Sequence, residues 1–340
     1  MHRKAFLSFV TGALSIPSLS FAKDFVKETS TFTVPPYLKK GDLIGITCPA
    51  GFISHEAIRP SINLMESWGY RIKIGNTVGK RDFTFGGSDQ ERMLDLQDMI
   101  DDPEVRAIMC ARGGYGAVRF IDQIKFDKIK TNPKWIIGFS DITVIHSHLA
   151  ANFQVASIHS KMCNSFPDDW NLADPMQVDT ILSIRDALSG KTRVYNTIPH
   201  PQNRKGIGSG ILVGGNLKTL ETLTGTRSDL NTKNCLLFVE DTNENLYSID
   251  RMFRHFKRCG KLDQLAGIII GGFKIKPDDP GEDFGRTLYD IVRDQIRDFN
   301  YPLCFDFPVG HQKNNYALKC GVKHELDVNE KSVTLKELRD

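Results

Sequence analysis

The chain has 340 residues, with 44 lysines and arginines against 41 aspartates and glutamates, and a formal net charge of +3. Hydrophobic residues make up 40% and charged residues 25% of it, values near globular averages that exclude a disordered chain, a collagen-like repeat and a multi-span membrane protein. The charges are balanced and form no long basic run, so a nucleic acid is not an expected partner.

The first 22 residues have the layout of a secretory signal peptide. Arg3 and Lys4 form a basic start, residues 5–16 are apolar, and the small residues Ser20 and Ala22 precede the expected cleavage point. The apolar stretch is too short to span a bilayer. A buried N-terminal helix is the alternative interpretation. We expect an exported, periplasmic protein with no membrane contact after cleavage, by either the general secretory or the twin-arginine route.

From residue 42 onward, short β-rich runs alternate with amphipathic stretches. The pattern predicts strands at 42–48, 70–74, 106–111 and 134–138, and helices at 54–68, 88–102, 116–123 and 142–151. This alternation is typical of a parallel sheet with helices on both faces. Ligands bind to such sheets where strands end, so the loops after Ala111 and Ile137 are the places to search for a site.

The pattern changes between residues 166 and 205, where four prolines surround one predicted helix at 176–188. We interpret this stretch as a connecting segment. It separates an N-terminal α/β domain at 35–165 from a smaller, mixed α/β C-terminal domain at 206–340. In the second domain the pattern predicts helices at 216–223, 245–259 and 283–298, and strands at 235–240, 267–272 and 333–336.

Seven cysteines are scattered without a Cys-x-x-Cys pair, and we interpret them as apolar core residues rather than as disulfides or zinc ligands. His146 and His148 lie two apart on a predicted helix and face different directions, which argues against a metal pair. We therefore expect neither a metal nor another cofactor.

The segment 134–142 (KWIIGFSDI) combines an apolar strand, one serine and the start of a helix. Ser140 on such a turn would be lifted out of the sheet, near backbone N–H groups that can receive an oxyanion. Ile142 stands where the hydrolase motif G-x-S-x-G has its second glycine. On this stretch alone, a helix N-cap is the favoured interpretation of Ser140, because serine and aspartate commonly cap helices.

A glycine-rich loop, Arg112-Gly-Gly-Tyr-Gly116, follows the third predicted strand. Its glycines allow a tight turn with exposed N–H groups, and Arg112 at the strand end could hold a carboxylate in a bidentate manner. The loop fails as a dinucleotide fingerprint, since Arg119 stands where the third glycine should be. A plain turn is the alternative, and it is slightly favoured when the loop is taken by itself.

The predicted strand at 235–240 ends in an acidic pair, Glu240 and Asp241. Adjacent strand residues point to opposite faces, so the two carboxylates cannot flank one glycosidic bond. One of them could orient a histidine. A pair that caps a helix or turn is the alternative.

His311 follows a glycine-containing turn, Phe307-Pro-Val-Gly310. An imidazole in such a place could act as a general base. Taken alone, a structural or surface histidine is the favoured interpretation.

Taken together, these segments resemble the LD-carboxypeptidase family of serine peptidases, which includes a microcin-immunity branch. The resemblance extends from about Gly41 to about Leu326. It rests on a specific order of motifs: Arg112-Gly-Gly-Tyr-Gly116, Gly138-Phe-Ser-Asp141, Gly214-Gly-Asn-Leu217, Val239-Glu-Asp241 and Gly310-His311. The resemblance implies a Rossmann-like N-terminal domain of the glutamine-amidotransferase type, a smaller C-terminal domain, and a site between them.

The same resemblance implies a catalytic triad and a substrate. It assigns Ser140 as the nucleophile, Glu240 as the triad acid and His311 as the base. It further implies removal of the terminal D-alanine from murein tetrapeptides, which makes a murein peptide the expected partner. The oligomeric state stays open, a homodimer included.

Further site residues are expected around the triad. The N–H of Asp141, together with the N–H of Gly113 or Gly114, is expected to form the oxyanion hole. Arg112 and Tyr115 are expected to bind the substrate.

The chain departs from the family's pattern at His159-Ser160-Lys161-Met162, where relatives often have Gly-Pro. We expect this stretch to border the substrate cleft, so it bears on substrate preference more than on catalysis. Two other functions stay open. One is a microcin-immunity-like hydrolase of peptidyl or aminoacyl nucleotides, and the other is a non-catalytic periplasmic peptide-binding protein.

Overall fold

The computed structural model describes residues 32–339, so the predicted signal peptide at 1–22 lies outside the described residues. The helices within this range are α1 (His55–Ser67), α2 (Asp89–Asp101), α3 (Asp127–Thr131), α4 (Thr143–Asn152), α5 (Pro175–Leu188), α6 (Leu217–Leu223), α7 (Leu246–Arg258) and α8 (Leu288–Gln295). The strands are β1 (Leu43–Thr47), β2 (Arg71–Ile74), β3 (Val105–Cys110), β4 (Trp135–Gly138), β5 (Ser157–His159), β6 (Val194–Thr197), β7 (Gly206–Asn216), β8 (Cys235–Glu244), β9 (Gly267–Ile275), β10 (Leu303–Cys304), β11 (Leu318–Cys320), β12 (Lys323–Val328) and β13 (Val333–Glu337).

The first sheet has six strands in the order β2-β1-β3-β4-β5-β11. Strands β1 to β5 are parallel to their neighbours, and β11 is antiparallel to β5. Every residue of β1 and of β4 is buried, because the sheet is covered on both faces. In this doubly wound arrangement, ligands bind outside the carboxyl ends of the strands.

The second sheet has seven strands in the order β10-β9-β8-β7-β12-β13-β6. Strands β7 to β10 are parallel, whereas β12, β13 and β6 pair in antiparallel fashion. Strand β6 comes from the stretch at 166–205, and β11 from the C-terminal part of the chain joins the first sheet. The predicted fold class, a parallel Rossmann-like sheet plus a second mixed α/β part, is confirmed.

Helix starts follow the capping signals in the sequence. Ser54 caps α1 by accepting the N–H of Ala57 at 3.2 Å. Ser88 and Glu91 form a capping box at the start of α2, which satisfies two N–H groups that the helix itself leaves free. The predicted helix boundaries at these places agree with the structure.

Two predicted helices differ from the structure. The helix predicted at 116–123 is a pair of 3-10 turns, because Phe120 between them has φ −135° and ψ 0° and its ring is buried. Of the helix predicted at 283–298, only α8 is helical in the structure, because the helix begins after the capping box of Thr287. The pattern also does not predict β7, since its five glycines weaken the strand signal.

None of the helices within residues 32–339 is both long and apolar enough to cross a bilayer.

Candidate active site

Ser140 lies on the turn between β4 and α4, at the carboxyl end of the first sheet. Phe139 is still extended, whereas Ser140 has a φ of +63° and begins a 3-10 turn that ends at Ile142. Left-handed backbone costs a non-glycine residue about 1–2 kcal/mol, and strain of this kind is concentrated at functional sites. The Ser140 hydroxyl caps neither this turn nor α4, so the helix-cap interpretation is wrong.

His146 of α4 fixes the end of β4. Its Nε2 lies 2.9 Å from the carbonyl oxygen of Gly138, two residues before Ser140. Burial lowers the pKa of His146 to about 3, so the ring is neutral and Nε2 donates to this carbonyl. The strand end that presents Ser140 is therefore anchored from within the core.

The glycine-rich loop lies directly against Ser140. A Cβ on Gly113 would stand 3.1 Å from the Cβ of Ser140, so only glycine allows this approach without displacement. The buried carboxylate of Asp141 accepts the N–H of Ala117 at 2.8 Å and ties the loop to the serine turn. Burial raises the pKa of Asp141 to about 6.

Glu240 lies on β8 where its pairing with β9 is irregular. Val239 pairs with Ile270, but Asp241 pairs with Phe273. Two residues of β9 therefore lie opposite the single residue Glu240. Bulges of this kind redirect side chains near active sites. The Glu240 side chain is fully buried.

Asp241 points the other way and stabilises the start of α6. Its carboxylate accepts the side-chain amide of Asn216 at 2.9 Å and the N–H of Lys218 at 2.8 Å. Burial raises the pKa of Asp241 to about 6. Both interpretations of the acidic pair therefore hold, one for each residue: Asp241 caps a helix, and Glu240 faces a histidine.

That histidine is His311. Its Nδ1 lies 2.5 Å from Oε2 of Glu240. With Nδ1–H donating to the carboxylate, Nε2 is the nitrogen left free to accept a proton. Gly310 has a φ of +97°, and the side chain of Asn315 accepts its N–H at 2.8 Å, which fixes the turn that precedes the imidazole.

A second imidazole, His159 at the end of β5, faces the other oxygen of Glu240. Its Nε2 lies 3.9 Å from Oε1, and both side chains are fully buried. Burial alone would raise the pKa of Glu240, but the neighbouring His159 and His311 outweigh it and lower that pKa to about 2. The sequence analysis places His159 in a stretch expected to border the substrate cleft, but it does not predict the approach to Glu240. A buried strand residue with a distant partner gives no local signal of that partner.

The structure brings the three predicted triad residues to one region but joins only two of them directly. Phe139, which precedes Ser140, packs against the His311 ring at a centroid distance of 4.9 Å. Within residues 32–339, no hydrogen bond joins the Ser140 hydroxyl to His311. Catalytic hydrogen bonds are often loose without substrate and tighten when it binds.

The two predicted substrate-binding residues lie on the same loop as Gly113. Arg112 is exposed, and its Nη1 donates to the carbonyl oxygen of Phe52 at 3.0 Å. Tyr115 is 53% exposed and its ring lies 6.1 Å from that of Phe85. Among residues 32–339, no cluster of three or more His, Cys, Asp or Glu side chains has metal-binding geometry.

An α/β protein that carries a serine on a strand-to-helix turn, beside a carboxylate–imidazole pair, has the layout of a serine hydrolase. Comparison with known families narrows this class. The profile of the LD-carboxypeptidase N-terminal domain matches residues 44–160, and that of the LD-carboxypeptidase C-terminal domain matches residues 209–326. The chain belongs to the LD-carboxypeptidase family of peptidases.

Individual relatives agree with this assignment. A probable murein peptide carboxypeptidase of Bacillus subtilis is 31% identical over 88% of this chain and 93% of its own length. The microcin C7 self-immunity protein MccF of Escherichia coli is 24% identical over 88% of this chain and 94% of its own length. The crystal structure of a muramoyltetrapeptide carboxypeptidase from Oxalobacter formigenes has a TM-score of 0.76 at 24% identity, covering 87% of this chain and 99% of that one.

Proposed function

We propose that the protein is an exported serine-type LD-carboxypeptidase that removes the terminal D-alanine from murein tetrapeptides, with Ser140, His311 and Glu240 as its triad. The hydrogen bond between His311 and Glu240 carries the proposal, since it orients an imidazole that packs against the residue before Ser140. Membership of the LD-carboxypeptidase family and the name of the Bacillus relative support the substrate class.

In this mechanism, Nε2 of His311 removes the proton of the Ser140 hydroxyl, whose oxygen attacks the carbonyl carbon before the terminal D-alanine. Glu240, ionised at neutral pH because its pKa is lowered to about 2, holds the Nδ1–H of His311 and stabilises the imidazolium. Nε2 then gives its proton to the leaving amine. Water attacks the acyl-enzyme, with His311 again accepting a proton, and releases the shortened peptide.

The N–H groups of Asp141 and Gly113 are the proposed oxyanion donors. Neither group donates to another of the residues at 32–339, and Gly113 lies against Ser140, so both are free to face a bound carbonyl. Gly114, with a φ of +112°, is the alternative second donor. One such donor typically lowers the barrier by about 3 kcal/mol.

Arg112 and Tyr115 are the proposed substrate-binding residues. Both are exposed, and the loop that carries them also carries Gly113, which touches the nucleophile turn. A peptide bound at Ser140 would therefore run past them.

Export is proposed from the basic start, the apolar stretch and the small residues of positions 1–22. Free thiols are a liability in an oxidising compartment unless they are buried. Five of the seven cysteines are buried: Cys48, Cys110, Cys163, Cys304 and Cys320. Cell fractionation of the full-length protein, with and without residues 1–22, tests this part of the proposal.

The activity is tested by incubating the protein with disaccharide tetrapeptide and measuring the loss of one alanine by mass spectrometry. Ser140→Ala is the control and should release none. An intact tetrapeptide after incubation with the wild-type protein would refute the proposal. Labelling of Ser140 by a fluorophosphonate separates an enzyme from a non-catalytic peptide-binding protein.

A microcin-immunity-like hydrolase is the second candidate, and the similarity to MccF favours it. An aromatic side chain that stacks on a purine would support it further. Trp170, the only tryptophan after residue 135, instead packs against the core of the first sheet. Hydrolysis of an aminoacyl nucleotide faster than of the tetrapeptide would establish this second function.

A further inference from the structure

Lys161 emerges beside Ser140 at the carboxyl end of the first sheet. Gly138 of β4 pairs in parallel register with His159 of β5, and the N–H of Ser160 donates to the Gly138 carbonyl at 3.1 Å. Ser140 and Lys161 each follow this pair by two residues, and neighbouring strands lie about 4.8 Å apart. The lysine therefore leaves the sheet next to the serine.

The ammonium group of Lys161 is directed toward the loop that carries His311. Its Nζ donates to the carbonyl oxygen of Gln312 at 2.6 Å. It also lies 5.7 Å from the centre of the Phe139 ring, the same ring that packs against His311. An ammonium group has three donors, so this single hydrogen bond leaves two for a ligand.

No carboxylate within residues 32–339 forms an ion pair with Lys161. Glu240 is the acid whose charge acts on Lys161, and that carboxylate is already shared by His311 and His159. Burial, followed by the charge of Lys274, lowers the pKa of Lys161 to about 8, against a smaller opposing effect of Glu240. A half-buried cation in this situation gains stability from an anionic ligand.

We propose that Lys161 binds the free C-terminal carboxylate of the peptide substrate and thereby restricts cleavage to the terminal residue. The inference rests on the proposed carboxypeptidase function. In such a substrate the terminal carboxylate carbon lies about 4 Å from the scissile carbonyl carbon, as adjacent residues of a chain do. The cation that binds it must therefore lie near the nucleophile. Lys161 leaves the sheet at the same edge as Ser140, and its ammonium group lies over the ring of Phe139, the residue before Ser140.

Arg112 is the other cation at this edge of the sheet, and it suits the terminal carboxylate less well. It is exposed and already donates to the carbonyl oxygen of Phe52. An exposed charge is screened by water, whereas the half-buried Lys161 acts in a lower effective dielectric and attracts a carboxylate more strongly.

The test compares two substrates, a tetrapeptide ending in D-alanine and the same peptide ending in D-alanine amide. Lys161→Gln removes the charge but keeps a donor for the Gln312 carbonyl, and Lys161→Met removes both. For Lys161→Gln we expect kcat/KM on the acid to fall about 10- to 100-fold, mainly through KM, since a hydrogen bond to a charged group is lost. On the amide, kcat/KM should hardly change.

Two controls define the result. Lys274→Met removes the neighbouring exposed charge and should preserve the acid-to-amide ratio of the wild type. In a Ser140→Ala background, calorimetry should show about tenfold or greater weakening of acid-peptide binding when Lys161→Gln is added. Circular dichroism verifies folding, and Lys161→Gln carries the test if Lys161→Met does not fold.

Equal losses on both peptides in Lys161→Gln would overturn the inference, because that pattern indicates a role in holding the His311 loop or in proton transfer. The inference would also be overturned if the acid-to-amide ratio of kcat/KM changed in Arg112→Met but not in Lys161→Gln. Cleavage of the acid peptide by the wild-type protein supports the proposed function whatever the variants do. A wild-type protein that cleaves neither peptide would refute both proposals.

Discussion

Gly310 lies so close to Glu240 that a Cβ at position 310 would overlap the Cβ of Glu240 and stand 2.7 Å from its Oε2. The residue that follows is His311, whose Nδ1 bonds to the same oxygen. The carboxylate–imidazole pair therefore depends on a glycine that supplies both a φ of +97° and the missing side chain.

Gly310→Ala should reduce both stability and activity. The strained backbone and the overlap with Glu240 together should lower the free energy of unfolding by about 2 kcal/mol or more, and kcat should fall by about tenfold or more as His311 is displaced. Gly41→Ala is the matched control, since Gly41 has a φ of +88° with no atom within 4 Å of an added Cβ. Urea unfolding and a D-alanine release assay measure both effects, and wild-type behaviour of Gly310→Ala would contradict the close approach.

Ser140→Ala should abolish turnover while preserving the fold. The hydroxyl makes no structural hydrogen bond within residues 32–339, and loss of a nucleophile typically lowers kcat by about 10⁴-fold or more. Ser140→Gly should be equally inactive but more stable than Ser140→Ala by up to about 1 kcal/mol, because glycine tolerates the φ of +63°. Equal unfolding midpoints for the two variants would show that this backbone is not strained.

Glu240→Gln should lower kcat by about 10³- to 10⁴-fold, because the amide neither stabilises the imidazolium nor fixes the His311 tautomer. The variant should also change the pH dependence of stability. The folded-state pKa of Glu240, about 2, lies below the ordinary value of 4.5, so its ionisation stabilises the fold above pH 4.5 and this contribution is lost as the pH falls toward 2. Urea unfolding at several pH values between 2 and 6 should show that the free energy of unfolding decreases less with falling pH in Glu240→Gln than in the wild type.

Much of this site could be predicted because its residues follow strand ends. Parallel strands bring their carboxyl ends to one edge, so a serine after β4 and a glycine-rich loop after β3 had to be neighbours. The local signals at Ser54 and Ser88 likewise decide where helices begin. These inferences need only periodicity and capping chemistry.

Other features depend on tertiary contacts that no local pattern contains. The division of labour between Glu240 and Asp241 follows from an irregularity in the β8–β9 pairing, which sequence alone does not reveal. His159 meets Glu240 only because the end of β5 packs against the second sheet. The glycines of β7 weaken its strand signal in the sequence, but in the structure the strand is stabilised by pairing with β12 on one side and β8 on the other.

His159→Phe should lower activity without unfolding the protein. Phenylalanine keeps the edge-to-face packing on Phe139 and Phe238 but removes the nitrogen that faces Glu240. The pKa of Glu240 should then rise toward its ordinary value, so the free energy of unfolding should fall less steeply between pH 6 and pH 2 than in the wild type, with kcat about tenfold lower.

A surface pair provides the control for this variant. Nδ1 of His255 lies 3.9 Å from Oε1 of Glu221, the same separation as between His159 and Glu240. In this surface pair, however, both side chains are partly exposed. His255→Phe should leave the pH dependence of the free energy of unfolding unchanged. A wild-type pH dependence in His159→Phe would mean that the imidazole of His159 acts only through packing.

The charge state of Lys161 leads to a pH dependence that differs between substrates. Its pKa is lowered to about 8 by burial and by Lys274, with Glu240 opposing, so the ammonium loses its proton as the pH rises through 8. Affinity for a peptide acid should therefore fall between pH 7 and 9, while affinity for the peptide amide should not. Lys161→Arg stays charged throughout this range, so its KM for the acid should be flat where that of the wild type rises. The measurement is KM for both peptides from pH 6.5 to 9.5. Parallel KM curves for acid and amide in the wild type would show that the charge of Lys161 does not recognise the carboxylate.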